Sequence, residues 1–146
     1  MKAMKRILIL DDETSITFSL SRCLQSDSVQ VITCNDILSV KWALVRFPID
    51  AMIADVRLSA EKPNQILDLI QYLRARNYTV PLIMMSGTED LKDQVMERGA
   101  TYFFQKPVDV DDLVCALRKM GLEVGRSQNY KEADDFMFYP EVYQAY

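Results

Sequence analysis

The chain has 146 residues, of which 49% are hydrophobic and 26% are charged, with a formal net charge of -4 and no histidine. This length suits one domain with its own core and is too short for two ordinary domains. The acidic balance argues against broad contact with nucleic acid, and the lack of histidine excludes Ser-His-Asp and Cys-His catalysis and histidine-ligated metal sites.

The first half of the chain alternates short apolar runs, which predict strands covered on both faces, with amphipathic runs, which predict helices. The predicted strands are 7–10, 29–33 and 51–55. One face of the first helix carries Ile16, Leu20, Cys23 and Leu24. A polar pair at 35–36 opens the second helix. We expect the inner side of that helix to be formed by Leu38, Trp42 and Val45.

The second half continues the same alternation. The predicted strands 82–85 and 101–104 are both followed by polar residues. The third helix is marked by Ile66, Leu69, Ile70 and Leu73, and the fourth by Leu91, Val95 and Met96. The last helix runs over 109–120, with Asp109 as its cap. Five strands alternating with five helices predict an α/β fold, a doubly wound (βα)5 parallel sheet with right-handed crossovers.

Residues 122–146 differ in composition from the rest, because their acids outnumber their basic residues by three. They also carry six aromatic residues, which are Tyr130, Phe136, Phe138, Tyr139, Tyr143 and Tyr146. We therefore divide the chain into a domain at 1–121 and an acidic aromatic tail or linker at 122–146, which is too short for its own core. Six exposed aromatic rings are unfavourable in water, which favours docking on a partner or on the domain itself.

The cysteines and the hydropathy pattern indicate a cellular compartment. Cys23, Cys34 and Cys115 lack the spacing of a metal site, and we interpret them as small core residues in a reducing environment. The sequence has no long apolar segment and no signal-peptide core at its N-terminus. We expect a cytoplasmic protein with no membrane partner.

Polar side chains follow four of the predicted strands, at Asp11-Asp12, Asp55, Ser86 and Lys106. If the strand order is 2-1-3-4-5, the first and third strands are neighbours at the switch point of the sheet, and the three acids converge there. Close carboxylates repel one another, and a divalent cation relieves that repulsion. Oxygen ligands with water favour Mg²⁺, and Lys106 adds an ammonium. Such a site suits phosphoryl transfer onto an aspartate.

Four motifs, in this order and spacing, resemble the receiver domain of two-component response regulators. They are Ile9-Leu10-Asp11-Asp12-Glu13, Ile53-Ala54-Asp55-Val56-Arg57-Leu58, Met84-Met85-Ser86-Gly87 and Lys106-Pro107. Each motif alone is weak, whereas the ordered set on a βα pattern is specific. The resemblance spans residues 4–121 and implies a CheY-like, flavodoxin-like fold with strand order 2-1-3-4-5.

The resemblance also implies the ligands of a magnesium ion. Asp55 matches the phosphoacceptor and is itself a metal ligand in the family. Asp11 and Asp12 match the acidic pair, in which Asp12 is the more direct Mg²⁺ ligand. The backbone carbonyl of Arg57 matches the third protein ligand.

Three further residues match the family's switch. Ser86 matches the hydroxyl that hydrogen-bonds the phosphoryl group, and Lys106 matches the lysine that pairs with it and precedes a cis proline. Phe103 matches an aromatic residue that turns inward when the serine moves, although ordinary core packing explains a phenylalanine at this position equally well. The output face is then formed by the fourth helix, the fifth strand and the fifth helix.

The chain departs from the family pattern in the loop after Asp55. Ser59 stands where the family usually has proline, and Pro63 stands where it usually has glycine. These departures leave open how long a phosphoryl group is retained and which kinase docks. The implied partners are a sensor histidine kinase and a downstream output domain or target protein, while homodimerisation through the output face is left open. We expect no direct nucleic acid binding.

Two other functions are weighed beside a phosphorylation switch. A pseudo-receiver would use the same fold as a phosphorylation-independent interaction module, which the altered loop and the aromatic tail favour and the complete set of site residues opposes. An independent hydrolase is poorly supported, because the family chemistry is limited to self-phosphorylation and self-dephosphorylation. The resemblance therefore implies a signalling switch and not an enzyme acting on an outside substrate.

Overall fold

Strands and helices alternate along the chain in the computed structural model, which describes residues 3–56 and 64–125. The strands are β1 (Lys5–Leu10), β2 (Val29–Cys34), β3 (Ala51–Asp55), β4 (Leu82–Ser86) and β5 (Tyr102–Gln105). The helices are α1 (Thr14–Leu24), α2 (Ile37–Arg46), α3 (Gln65–Ala75), α4 (Lys92–Glu97) and α5 (Val110–Lys119). Within these described ranges, none of the helices combines the length and the apolar character needed to cross a membrane.

The strands form one parallel sheet in the order β2-β1-β3-β4-β5, which confirms the predicted fold class and strand order. At the carboxyl edge, Leu10 pairs with Ala54, and Ser86 pairs with Gln105. The residues that end β1, β3, β4 and β5 therefore meet at one edge of the sheet. This edge is where open α/β sheets bind their ligands.

Two apolar layers cover the sheet, because successive strand residues point to opposite faces. Leu8 and Leu10 pack with α2, α3 and α4, whereas Ile7 and Ile9 pack with α1 and α5. The predicted inner faces of α1 and α3 are confirmed, since every residue named for them is buried. The central strand β3 is buried along its whole length, as its uninterrupted apolar run predicts.

The inner face of α2 differs from the prediction. Its buried residues are Val40, Ala43 and Leu44. The predicted residues Leu38, Trp42 and Val45 are 77%, 59% and 78% exposed, so that prediction is wrong. The physical reason is that α2 has apolar side chains on both sides, and a helical period alone does not tell which of two apolar stripes faces the sheet.

The cysteine prediction holds for two of the three residues. Cys23 and Cys34 are buried, and burial raises the pKa of their thiols to about 12 and about 11 respectively, so both stay protonated at neutral pH. Cys115 is exposed, which makes the core interpretation wrong there. It lies on the outer side of α5, whose inner side is formed by Leu113, Val114, Ala116 and Leu117.

The chain remains packed against the domain after α5 ends. Leu122 and Val124 are buried in the layer formed by α1 and α5. The Ser26 hydroxyl donates a hydrogen bond to the carbonyl of Glu123 at 2.7 Å, and the Gly125 N–H donates to the carbonyl of Leu24 at 3.1 Å. The predicted tail residues after 125 lie outside the described residues, so the division of the chain at 121 stays a prediction.

Gly125→Ala is expected to lower the free energy of unfolding by about 1–2 kcal/mol. Gly125 has φ +56, and an added Cβ would lie 2.6 Å from the Cys23 carbonyl oxygen. Gly121→Ala is the control, because Gly121 has φ +87 but nothing within 4 Å of its added Cβ, leaving only the backbone strain. Urea unfolding measures both, and an equal loss would show that the Cys23 contact contributes nothing.

Candidate functional site

Four buried polar side chains meet at the carboxyl edge of the sheet. Asp11, Asp55, Ser86 and Lys106 all belong to the buried class, and they follow or end β1, β3, β4 and β5. Asp12 is exposed beside them. Buried charges are unfavourable unless they are paired, so the four strand ends form a site whose charges must balance one another.

Lys106 supplies the positive charge of this cluster. Its Nζ lies 3.3 Å from Oδ2 of Asp55 and 3.6 Å from Oδ2 of Asp11. One ammonium thus lies between two buried carboxylates, with the Asp12 carboxylate nearby. Among the described residues of the site the carboxylates outnumber the ammonium, so this part of the site carries an excess of negative charge.

Asp11 has one satisfied carboxylate oxygen and one unsatisfied one. Oδ1 accepts a hydrogen bond from the N–H of Glu13 at 2.9 Å, whereas the buried Oδ2 accepts no hydrogen bond from the described residues. The Lys106 ammonium at 3.6 Å is beyond hydrogen-bond distance. Burial, followed by repulsion from Asp55, raises the pKa of Asp11 to about 6.

The three acids are spaced to share one cation. One carboxylate oxygen from each of Asp11, Asp12 and Asp55 lies within 4.8 Å of the others. Oδ2 of Asp11, which accepts no hydrogen bond from the described residues, gives the cluster a buried acceptor that a cation would satisfy, and an all-oxygen donor set suits Mg²⁺. These residues therefore fit the predicted ion. The predicted carbonyl ligand, Arg57, lies outside the described residues, as do Ser59 and Pro63.

Ser86 links the ends of β4 and β5. Its Oγ accepts a hydrogen bond from the N–H of Thr88 at 3.2 Å, and its carbonyl accepts one from the N–H of Lys106 at 2.7 Å. The peptide bond from Lys106 to Pro107 is cis, as the resemblance implies. The backbones that carry the hydroxyl and the ammonium are thus joined directly.

Phe103 lies on β5 and is partly buried against the layer of α2, α3 and α4. The Nζ of Lys92, at the start of α4, lies 5.8 Å from the centre of its ring. This position agrees with ordinary core packing between β5 and α4. The switch function of Phe103 stays a prediction.

One positioning residue escaped the sequence analysis. The side chain of Asn35 donates a hydrogen bond to the carbonyl of Asp11 at 2.8 Å, and so ties the loop after β1 to the end of β2. Asn35 directly follows β2, just as the other polar site residues follow or end their strands. This shared placement directly after a strand is the sequence signal for Asn35, in addition to its position at the start of α2.

The stability of the metal-free protein is expected to fall as the pH rises from about 4 to about 6 because of Asp11. Its pKa is raised from 3.8 to about 6, so the folded state binds more protons than the unfolded state across that window. The loss is complete above the folded pKa and is about 3 kcal/mol at most. Asp11→Asn removes this loss, and urea unfolding at several pH values without Mg²⁺ measures it.

Asp36→Asn serves as the control for that experiment. Hydrogen bonds from the Ser39 hydroxyl and N–H lower the pKa of the Asp36 carboxyl, so its contribution has the opposite sign. The stabilisation by ionised Asp36 is present above the pKa of this group in the unfolded chain, and it is lost as the pH falls through the pKa in the folded protein. An unchanged pH profile in Asp11→Asn would contradict the raised pKa.

Comparisons with known proteins point to one family. The family model of the response regulator receiver domain matches residues 7–118. The response regulator protein PilR of Pseudomonas aeruginosa is 31% identical over 111 residues, which are 75% of this chain and 24% of PilR. The acid tolerance regulatory protein ActR of Rhizobium meliloti is 30% identical over 134 residues, which are 89% of this chain and 67% of ActR.

Solved structures lead to the same fold. The crystal structure of a response regulator receiver protein from Pseudomonas putida has a TM-score of 0.72 and 28% sequence identity, over 82% of this chain and 99% of that one. The match thus includes nearly the whole of that structure. By contrast, it spans about a quarter of the length of PilR and two thirds of ActR.

Proposed function

This chain belongs to the response regulator receiver domain family, and from that premise we propose that it accepts a phosphoryl group on Asp55 from a sensor histidine kinase in a Mg²⁺-dependent reaction. The observation that carries the proposal is the buried triad of Asp55, Asp11 and Lys106, with the ammonium 3.3 Å from the Asp55 carboxylate. A nucleophilic carboxylate beside a fixed positive charge is what phosphoryl transfer requires.

In the transfer, a carboxylate oxygen of Asp55 forms a bond to phosphorus while the bond from phosphorus to the donor imidazole nitrogen breaks. The imidazole keeps the electron pair and takes up a proton from water. The Lys106 ammonium would neutralise charge on an oxygen of the incoming group. The Ser86 hydroxyl, whose Oγ accepts from Thr88, can still donate its own proton to that group.

Asp11, Asp12 and Asp55 would hold the magnesium ion, together with the carbonyl of Arg57. When bound, the ion would supply positive charge that offsets the negative charge of the acids and the phosphoryl group. Two observations support this assignment: the buried Oδ2 of Asp11 accepts no hydrogen bond from the described residues, and the three acids converge. Pairing of Asp11 with the metal would also counteract the burial and the repulsion from Asp55 that raise its pKa.

We propose that phosphorylation shifts a pre-existing equilibrium of the domain and changes the α4-β5-α5 face. Ser86 and Phe103 would carry the change from the site to that face, where Lys92 of α4 already contacts the Phe103 ring. A downstream output domain or target protein would read it. The cytoplasmic location stays a prediction.

Acetyl phosphate with Mg²⁺ tests the proposal when the intact mass of the protein is followed. We expect one phosphoryl group per chain in the wild type, none after Mg²⁺ is chelated, and none in Asp55→Asn. Asp68→Asn, which alters an exposed acid on α3, is the control and should be modified like the wild type. A folded wild type that accepts nothing from acetyl phosphate or from a phosphorylated kinase would favour the pseudo-receiver alternative.

A further inference from the structure

The outer face of α2 carries an apolar stripe that the described residues leave uncovered. Leu38, Trp42 and Val45 follow one another along one side of the helix, and each is more than half exposed. We call these three residues the α2 stripe. Contiguous exposed apolar side chains that include a tryptophan mark interaction surfaces more often than ordinary solvent-facing helices.

Basic side chains border the α2 stripe. The Arg46 guanidinium lies 4.6 Å from the centre of the Trp42 ring. Beside the stripe, the ring of Tyr72 on α3 has Lys41 at 4.2 Å and Arg76 at 4.0 Å from its centre. The segment 37–46 that forms α2 contains no acid. Asp36, the exposed N-cap of α2, is an acid two residues before Leu38. The surface is therefore apolar at its centre and mainly basic at its rim, which suits an acidic partner with aromatic side chains.

We propose that residues 126–146 of this chain dock on the α2 stripe. This segment has the complementary composition, since no basic residue follows Lys131. Its acids after that point are Glu132, Asp134, Asp135 and Glu141. Its aromatic residues are Tyr130, Phe136, Phe138, Tyr139, Tyr143 and Tyr146. Docking removes apolar surface from water on both sides and places the acids near the basic rim.

The described chain ends in a suitable place for this contact. Gly125 is fixed to the end of α1 by its hydrogen bond to Leu24, next to the start of the edge strand β2. The last turn of α2 lies at the same edge of the sheet. Phe47, which directly follows α2, has the Arg6 guanidinium 5.4 Å from the centre of its ring, and the N–H of the neighbouring Lys5 donates to the carbonyl of Ser28, just before β2. Both ends therefore flank the amino ends of β1 and β2.

The length of the segment is sufficient to pass around this edge. Twenty-one residues follow Gly125, and an extended chain of that length reaches roughly 70 Å. Passing from one face of a helix-covered sheet to the other requires on the order of 20–30 Å, given layers about 10 Å apart. A second copy of the domain fits less well, because pairing two α2 stripes would bring two basic rims together.

Trp42 is the only tryptophan in the chain, so its fluorescence reports directly on this surface. We compare acrylamide quenching of the wild type with that of a variant carrying Phe136→Ser, Phe138→Ser and Tyr139→Ser. The quenching constant is expected to rise about twofold or more in the variant, with a red-shifted emission, because Trp42 becomes exposed to water. Phe18→Ser, which alters an exposed aromatic on α1, is the control and should quench like the wild type.

Cleavage by trypsin after Lys131 provides an independent measurement of whether the tail is docked. Leu38→Ser with Val45→Ser removes the apolar contacts of the stripe without touching the core, and cleavage after Lys131 should become about fivefold faster as the released population grows. Leu38 and Val45 are exposed, so folding is not at risk. Mass analysis of the released peptide identifies the cleavage position.

Each result decides the proposal. If Trp42 is protected from acrylamide, if this protection persists when the protein is diluted, and if it is lost in the tail variant, the tail docks within one chain. Equal quenching of Trp42 in the wild type and the tail variant overturns the proposal, and so does an unchanged cleavage rate in the stripe variant. Protection that disappears on dilution overturns it in favour of contact between two chains.

Discussion

Lys106→Met is expected to lower the free energy of unfolding by about 3 kcal/mol in Mg²⁺-free buffer at neutral pH. The Lys106 ammonium is buried between the carboxylates of Asp55 and Asp11, at 3.3 and 3.6 Å. Methionine has a similar length but no charge, so two buried carboxylates would be left without this partner. Removing one side of a buried charge pair is costly because the remaining charge cannot return to water. Urea unfolding followed by circular dichroism measures the change.

Magnesium gives this experiment an internal check. If the three acids hold Mg²⁺, the ion replaces part of the missing positive charge, and saturating Mg²⁺ should restore much of the stability of Lys106→Met. Lys119→Met, at an exposed position on α5, should change stability by less than about 0.5 kcal/mol. A loss in Lys106→Met no larger than in Lys119→Met would show that the ion pairs contribute no net stability.

Leu44→Ala is expected to destabilise the protein by about 2–4 kcal/mol, and Leu38→Ala by less than about 1 kcal/mol. Both leucines lie on α2, so the change in chemistry and helix propensity is the same. Leu44 is 8% exposed and packs in the core, whereas Leu38 is 77% exposed. Removing Leu44 leaves a cavity beneath the helix, while removing Leu38 loses surface contacts only. Thermal and urea unfolding measure both variants.

The two leucines also test the orientation of α2 directly. The helical pattern predicts Leu38 on the inner side, and that orientation would make its replacement the more damaging one. A larger loss in Leu38→Ala than in Leu44→Ala would therefore contradict the observed packing of the helix. A rise in Trp42 quenching in Leu38→Ala would further indicate that the α2 stripe is covered in solution.

The sheet and the positions of its polar strand ends could be predicted from the sequence because both depend on strong local signals. An apolar run such as 51–55 is buried on both faces and stops at a carboxylate, and parallel strands bring such ends to one edge. Asp11, Asp55 and Lys106 consequently meet where the strand order predicts. The ordered set of motifs then identified the family.

Side-chain orientation on the helices was less predictable. In α2 the choice between two apolar stripes depends on how the helix sits on the sheet, and the predicted stripe with Trp42 is the exposed one. Cys115 was assigned to the core from residue type, although its neighbours Val114 and Ala116 take the inner positions. The unsatisfied oxygen of Asp11 and its raised pKa depend on three-dimensional burial, which no local pattern encodes.

The strand order also determines when during folding the polar site can exist. Asp55 and Lys106 are 51 residues apart in the chain, and their strands are joined only through β4. Parallel strands require long crossovers, so their pairing is late and slow compared with local helix formation. A growing chain presents Asp55, the proposed phosphoacceptor, well before Lys106 has been synthesised. Phosphate acceptance should consequently become detectable only after β5 joins the sheet, which makes it a marker of completed folding.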